Sequence, residues 1–244
     1  MVDKSALAQW ASDLAIAWAT VNWSLLGTRS DEDGWKAGRF RWKDVRDERA
    51  HIGTMVHEII EADLNGEWVV PEPDSLEVAQ AVAQWEQFKA EHVIEPLLVE
   101  VTLWSHTFGY AGTCDIIIVI DGETWLIDNK TSKGLWPEHE YQLAALASSD
   151  VAMVQQDDET WVEVEMPKIE RYGFLHLRPD YHDPLKNIHI PAFYELVEVP
   201  AEDIPYLFES FKAYLAAWNA KKATEGLRKS RESAKVETES EESK

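Results

Sequence analysis

The segment GTCDIIIVIDGETWLIDNKTS, residues 112–132, places charged side chains inside the most apolar part of the chain. Two runs rich in Ile, Val and Trp flank Asp121-Gly122, a dipeptide suited to the two positive φ angles of a tight turn. The segment therefore predicts a β-hairpin, and a two-residue turn sets the register of its strands.

That register places Asp115 directly opposite Asp128, where two like charges destabilise a strand pair. Lys130 lies two residues beyond Asp128 and therefore on the same face. Hard divalent cations such as Mg²⁺ bind carboxylate oxygens of this kind. The alternative is an exposed, salt-bridged strand end, but the apolar run from Ile116 to Ile120 implies burial and favours a site. A bulge at the turn would shift the register.

Length and composition limit the class of protein. With 244 residues, 45% of them hydrophobic, the chain can form one sizeable domain with a core. The single cysteine, Cys114, excludes a disulfide or a multi-cysteine metal site within one chain. We expect a cytoplasmic protein, since no signal pattern or membrane-spanning run is present. The net charge of −22 argues against nucleic-acid binding, which normally uses Lys and Arg.

The order of predicted elements indicates an α/β (mixed α+β) domain with a central mixed β-sheet flanked by helices. We expect a helical part at about 1–50, a core at about 51–220 and a disordered charged tail at 221–244. Thr54 is a candidate N-cap for a helix ending near Leu64. The other predicted helices are 76–91, one beginning at Pro137, and 201–220; the predicted strands outside the hairpin are 97–104, 161–166, 172–177 and 189–199.

His57 and Glu61 are four residues apart on the first of these helices and share one face. A neutral imidazole is a good ligand for several metals. Taken alone, the two residues are better explained as a polar pair on a helix surface.

Three segments together resemble the RecB-like branch of the PD-(D/E)XK nuclease superfamily, which includes phage and CRISPR-associated exonucleases. They are GTMVHEIIEADLNG, AGTCDIIIVIDGETWLIDNKTS and EYQLAALA, in the same order along the chain. The resemblance covers roughly residues 45–218 and implies a restriction-endonuclease-like core. It also implies that a divalent metal, Mg²⁺ or Mn²⁺, is bound by three residues: His57, Asp115 and Asp128.

The same resemblance implies that Lys130 assists the attacking water and that Gln142 helps to position the site or the DNA. The tyrosine that the family has four residues further on is replaced by Leu146, and the adjacent Tyr141 is an alternative. Several members of this branch hold an iron-sulfur cluster on four cysteines. With only Cys114, this chain cannot form such a cluster by itself.

Two further groups are candidates for supporting roles. Glu100, on the strand before the hairpin, and Glu61 could support a second metal or a bound water, although a solvent-facing position is as good an account of Glu100. From Lys36 to Arg49 there are six basic and three acidic residues with interleaved aromatic rings, a pattern typical of single-strand binding. It predicts DNA contacts at Arg39, Arg41 and Lys43; the alternative is a salt-bridged loop.

These observations favour a metal-dependent DNA nuclease, most consistent with an exonuclease acting in DNA recombination, repair or phage replication. A second hypothesis is a catalytically silent nuclease-fold protein that binds DNA or a recombination or replication partner, which would explain the acidity through protein contacts. A third is an acidic metal-binding or nucleic-acid-mimicking protein that acts on other proteins; the charge favours it and the motifs do not.

Overall fold

The computed structural model describes residues 32–67, 72–156, 159–183 and 187–242. Helices predicted within residues 5–25 lie outside the described residues. The four described helices are α1 (Glu32–Leu64), α2 (Leu76–Glu91), α3 (Pro137–Ala147) and α4 (Ile204–Glu242). The described strands are β1 (Ile94–Ser105), β2 (Tyr110–Ile120), β3 (Glu123–Lys130), β4 (Val151–Gln155), β5 (Trp161–Glu165), β6 (Arg171–Arg178), β7 (Tyr181–Asp183), β8 (Ile188–Ile190) and β9 (Phe193–Val199).

Seven strands form one mixed sheet in the order β5-β4-β1-β2-β3-β6-β9. Within it, β3 and β6 run parallel, and the other neighbours run antiparallel. Strands β7 and β8 form a separate pair. The prediction of a mixed α/β fold with a central sheet flanked by helices is confirmed. Among the described helices, none is sufficiently long and apolar to cross a membrane.

Each face of the sheet is covered by its own hydrophobic core, because side chains alternate between faces along a strand. One core joins α1 and α2 to the sheet through residues such as Ile60, Trp85 and Ile118. The other joins α3 and α4 to the opposite face through residues such as Leu143 and Phe208. The hairpin strands β2 and β3 lie between the two layers, so charged groups at their ends are held in a mostly apolar setting.

The hairpin turn has the predicted geometry, with positive φ angles of 51° at Asp121 and 94° at Gly122. Its register runs from Ile120 opposite Glu123 to Ile116 opposite Ile127, as predicted. The ladder ends at that point. The predicted pairing of Asp115 with Asp128, one step further, is therefore not part of the regular ladder.

The start of the first described helix differs from the prediction. Thr54 is not an N-cap; it lies inside α1, and its hydroxyl donates a hydrogen bond to the carbonyl of Ala50 at 3.1 Å. No proline interrupts residues 32–53, so the helical backbone continues through a segment that polarity alone made ambiguous. The predicted helix end is confirmed, since Gly66 takes a φ of 67° just after Leu64.

Two further boundaries also differ. The predicted strand 189–199 is divided into β8 and β9 at Pro191, which cannot donate a backbone hydrogen bond to a ladder. Helix α4, predicted to end near Ala220 before a disordered tail, continues to Glu242. The continuation contains no proline and is rich in Glu and Lys, which favour a helical backbone. Strand β4 was not predicted.

Candidate metal site

Three ligand atoms converge at the end of the hairpin. The Nδ1 atom of His57 lies 3.6 Å from Glu100 Oε1 and 3.6 Å from Asp115 Oδ1. On the other side of the ring, Nε2 lies 3.2 Å from the carbonyl oxygen of Asn129. A carbonyl only accepts, so Nε2 carries the proton and donates. In the neutral ring the lone pair of Nδ1 therefore faces the two carboxylates. The ligand atoms of His57, Glu100 and Asp115 all lie within 4.8 Å of one another.

Glu100 has a backbone conformation unusual for a strand residue, with a φ of 47°. A residue other than glycine is strained in this region by about 1–3 kcal/mol, and such strain is concentrated at functional sites. The neighbours Val99 and Val101 remain paired with β2, so the irregularity is confined to a single residue. The carboxylate at this irregular position faces His57.

Strand β2 is irregular at the facing position, Asp115. Cys114 and Ile117 are three residues apart yet pack in the same core, so the alternation of side chains changes between them. Asp115 Oδ2 accepts a hydrogen bond from the backbone N–H of Asn129 at 2.6 Å. A carboxylate thus takes the place of a ladder acceptor, and the two strands separate at their ends. This separation makes room for the charged groups.

Burial raises the pKa of Asp115 to about 7, and the nearby Asp128 carboxylate adds to this rise. The positive groups of His57 and Lys130 and the Asn129 N–H oppose it. For His57, burial lowers the pKa, but the surrounding carboxylates outweigh burial and raise it above its ordinary value. In the metal-free site, burial therefore makes the charged form of Asp115 costly.

Asp128 lies beside this group and is paired with Lys130. The carboxylate is only 1% exposed, and its Oδ2 forms an ion pair with the Lys130 ammonium. Among the described residues, that oxygen has no other hydrogen-bond partner, and the buried Oδ1 of Asn129 has none. The predicted ligand set of His57, Asp115 and Asp128 is therefore modified: Glu100 completes the close group, and Asp128 contacts Lys130.

His139, on α3, is a neighbour of the site that sequence reasoning missed. Burial lowers its pKa, and the Lys130 ammonium lowers it further, which places the ring close to that ammonium. No motif spacing signals this residue. It reaches the site because α3 packs across the end of β3, a tertiary contact that the sequence pattern does not reveal.

The remaining predicted residues surround this centre at different positions. Glu61 lies near Glu100, since burial and that carboxylate both raise the pKa of Glu61. Gln142 and Tyr141 line a cavity beside the site rather than the close group. Lys43 is exposed on α1. The side chains of Arg39 and Arg41 are not among the side chains that the structure describes. DNA binding by Arg39, Arg41 and Lys43 therefore stays a prediction.

The donor set fits a hard divalent cation. Carboxylate oxygens suit Mg²⁺ and Mn²⁺, and an imidazole nitrogen is compatible with Mn²⁺. The backbone carbonyl that accepts from His57 Nε2 orients the ring, as outer hydrogen bonds do for metal-ligating histidines. The cost of holding the buried Asp115 carboxylate in its charged form adds to this fit. His57, Glu100 and Asp115 could therefore hold such an ion.

We expect the metal-free protein to lose stability as the pH rises from about 5 to about 8. The folded-state pKa of Asp115 is about 7, against roughly 3.9 when exposed, so folding favours the protonated form. This stabilisation is lost as the pH rises through the folded-state pKa, and the raised pKa of His57 acts in the same direction. Thermal melts in EDTA across this range measure the slope.

Saturating Mn²⁺ should reverse the sign of that slope, because the ion displaces protons from its ligands. Asp115→Asn is the control: it removes the titrating carboxyl, so its melting temperature in EDTA should vary less with pH. A slope that is identical in the wild type and in this variant would show that Asp115 does not titrate in this range.

No known protein family matches the chain, and it matches no curated protein.

Proposed function

We propose that this protein is a metal-dependent DNA nuclease, with exonuclease action on DNA ends as its most consistent mode. The observation that carries the proposal is the convergence of the His57, Glu100 and Asp115 ligand atoms beside the Lys130–Asp128 ion pair. A structural salt bridge does not require a third carboxylate on a strained backbone. Phosphodiester hydrolysis requires both a cation site and a fixed positive charge.

The fold is compatible with the proposal. The resemblance to RecB-like nucleases implies a mixed sheet flanked by helices, and the chain has a seven-stranded mixed sheet of that kind. The two strands that carry the aspartates separate at the site, where Asn129 N–H bonds to Asp115 instead of to β2 backbone. A PD-(D/E)XK core remains part of the proposal.

A bound divalent cation would polarise both the attacked phosphate and the nucleophilic water. The chain's own residues have separable roles in this arrangement. Asp115, Glu100 and His57 orient their donor atoms toward one point, and Asn129 fixes the tautomer of His57. Asp128 holds the ammonium of Lys130 at the edge of the site, where it can orient water and stabilise negative charge that develops on the phosphate.

We expect Mg²⁺ or Mn²⁺ to support degradation of linear DNA and EDTA to stop it. Ca²⁺ should bind without supporting efficient turnover. The assay uses end-labelled single-stranded, blunt and overhanging substrates, with a covalently closed circle as the control for endonuclease action. DNA binding without hydrolysis under all these conditions would favour the catalytically silent alternative. Equal rates on linear and closed circular DNA would overturn the exonuclease assignment.

A further inference from the structure

The middle of helix α4 carries a local positive charge, whereas the helix as a whole is neutral, with seven basic and seven acidic residues. From Lys212 to Arg231 there are six basic residues and one acidic residue, in a chain with a net charge of −22. The side chains from Ala216 to Arg228 are all exposed. The only acid of the segment, Glu225, makes a long ion pair of 3.8 Å with Lys221. A local cationic surface on an acidic protein indicates an anionic partner.

Two aromatic side chains lie on the same part of α4. Tyr214 is 43% exposed and Trp218 is 53% exposed, and residues four apart share one face of a helix. The Trp218 ring has two ammonium groups beside it, with its centroid 5.1 Å from Lys222 Nζ and 5.9 Å from Lys221 Nζ. Exposed rings with adjacent cations are the combination by which single-stranded nucleic acids are bound without regard to sequence.

The same helix forms one wall of an aromatic cavity of about 360 Å³. Rings of Tyr141 on α3 and Tyr214 on α4 lie 5.6 Å apart at this cavity. The volume is that of a small-molecule pocket. Gln142 and Glu138 supply polar groups that can bond to the edge of a nucleobase.

The cavity and the candidate metal site are connected by strand β2. Gly112 lines the cavity and lies three residues before Asp115 on β2, which is about 10 Å along a strand. That distance equals the rise of about three stacked nucleotides. A strand that enters along α4 would therefore place a base in the cavity and a phosphodiester near the ligand atoms.

We infer that α4 is a binding arm for single-stranded DNA, with Tyr214 and Trp218 stacking on bases and Lys221 and Lys222 contacting phosphates, and that the cavity between α3 and α4 receives a base next to the scissile bond. The inference rests on the proposed nuclease function and names its substrate as a single-stranded end. The cavity adds a preference for a flat ring.

The test measures affinity for a labelled single-stranded oligothymidine in Ca²⁺, so that binding is read without cleavage. Tyr214→Ala and Trp218→Ala should each weaken binding by about fivefold or more. The matched control is Trp161→Ala, because Trp161 is 56% exposed on the edge strand β5 and should leave affinity unchanged. All of these replacements are at exposed positions, so circular dichroism should show an unchanged fold.

The double variant Lys221→Gln/Lys222→Gln should reduce the slope of log affinity against log salt by about 1.4, since each phosphate contact on a single strand contributes about 0.7. Lys168→Gln is the control for an exposed lysine that is not part of α4. The contrary result is that the α4 variants show the wild-type affinity and the wild-type slope of log affinity against log salt. If the wild type hydrolyses DNA, that result would reject α4 as a DNA-binding arm and leave the nuclease function intact.

The other outcomes are also distinguishable. Normal binding that depends on α4, without hydrolysis in any metal, would support the arm and reject the nuclease function. A wild type that neither binds nor hydrolyses DNA would reject both. Light scattering of each variant detects a change in oligomeric state. An altered oligomeric state without loss of DNA affinity would show that α4 is a protein–protein interface and would overturn the inference.

Discussion

Replacing Asp115 by Asn should abolish nuclease activity, with a loss of at least about 100-fold, while making the metal-free protein more stable. Outer-sphere partners of a metal ligand already contribute about 10–100-fold, so loss of a ligand exceeds that range. At pH 8 the wild-type protein holds a buried carboxylate whose pKa is raised to about 7. Asparagine removes that charge and retains an oxygen that can accept the Asn129 N–H.

The free energy of unfolding of the metal-free protein should rise by about 1–2 kcal/mol. This is less than the free energy that corresponds to the raised pKa, because the new amide group also needs hydrogen-bond partners. For a chain of this size that corresponds to a melting temperature higher by roughly 2–8 °C. The measurements are melts at pH 8 in EDTA and in Mn²⁺, together with the rate of DNA hydrolysis. A variant that is markedly less stable in EDTA and still cleaves DNA would show that Asp115 is structural.

Asp128→Asn is the matched comparison, and it should have the opposite effect on stability. Its carboxylate is ion-paired with Lys130 and buried, so removing it leaves an ammonium that is only 16% exposed without its partner. Breaking a buried pair costs about 3–5 kcal/mol. Asp115 and Asp128 have equivalent positions in the sequence pattern. Their replacement by Asn is nevertheless expected to change the stability of the metal-free protein in opposite directions.

Replacing Lys130 by Met should lower the turnover rate by about 10²–10³-fold without preventing metal binding. The ammonium contacts Asp128 and is not among the three converging ligand atoms. The stabilisation of the variant by Mn²⁺, measured as the shift in melting temperature, should therefore be close to that of the wild type. The control is Lys133→Met, since Lys133 is exposed and its ammonium bonds to the hydroxyl of Tyr181.

The double variant Asp128→Asn/Lys130→Met separates chemistry from stability. Lys130→Met alone leaves a buried carboxylate unpaired, so it should be less stable than the double variant, in which both partners are neutral. Both variants should be inactive. Normal turnover by a folded Lys130→Met protein would show that the lysine has no role in the mechanism. Loss of the increase in melting temperature that Mn²⁺ causes would show instead that the lysine is needed for metal binding.

The local features of the fold were predictable because they depend on residues close in sequence. The Asp121-Gly122 turn and the register as far as Ile116 follow from dihedral preferences and hydrophobic alternation. Proline at the start of α3 likewise marked that helix. The length of α1 was not predictable from its polar residues, since a solvent-exposed helix has no strong apolar periodicity.

Two of the three residues in the close group were predicted as ligands, and the third was predicted only in a supporting role. His57 and Asp115 meet as the motifs suggested, yet the third close ligand is Glu100, which regular strand alternation left undecided. Its orientation depends on a positive φ that no local sequence preference favours in a glutamate. His139 reaches Lys130 only through the packing of α3 on the sheet, which is a property of the tertiary structure.

The placement of this site bears on how such a protein can change over evolutionary time. His57, Glu100, Asp115 and Asp128 belong to neither hydrophobic core, and the strands regain regular pairing on either side of the irregular residues. On the proposed function, single substitutions at His57, Glu100 or Asp115 would therefore remove the chemistry without disturbing the packing that specifies the fold. An active enzyme of this architecture is separated from a folded, inactive descendant by one codon change, so selection on activity and selection on folding can act on different residues.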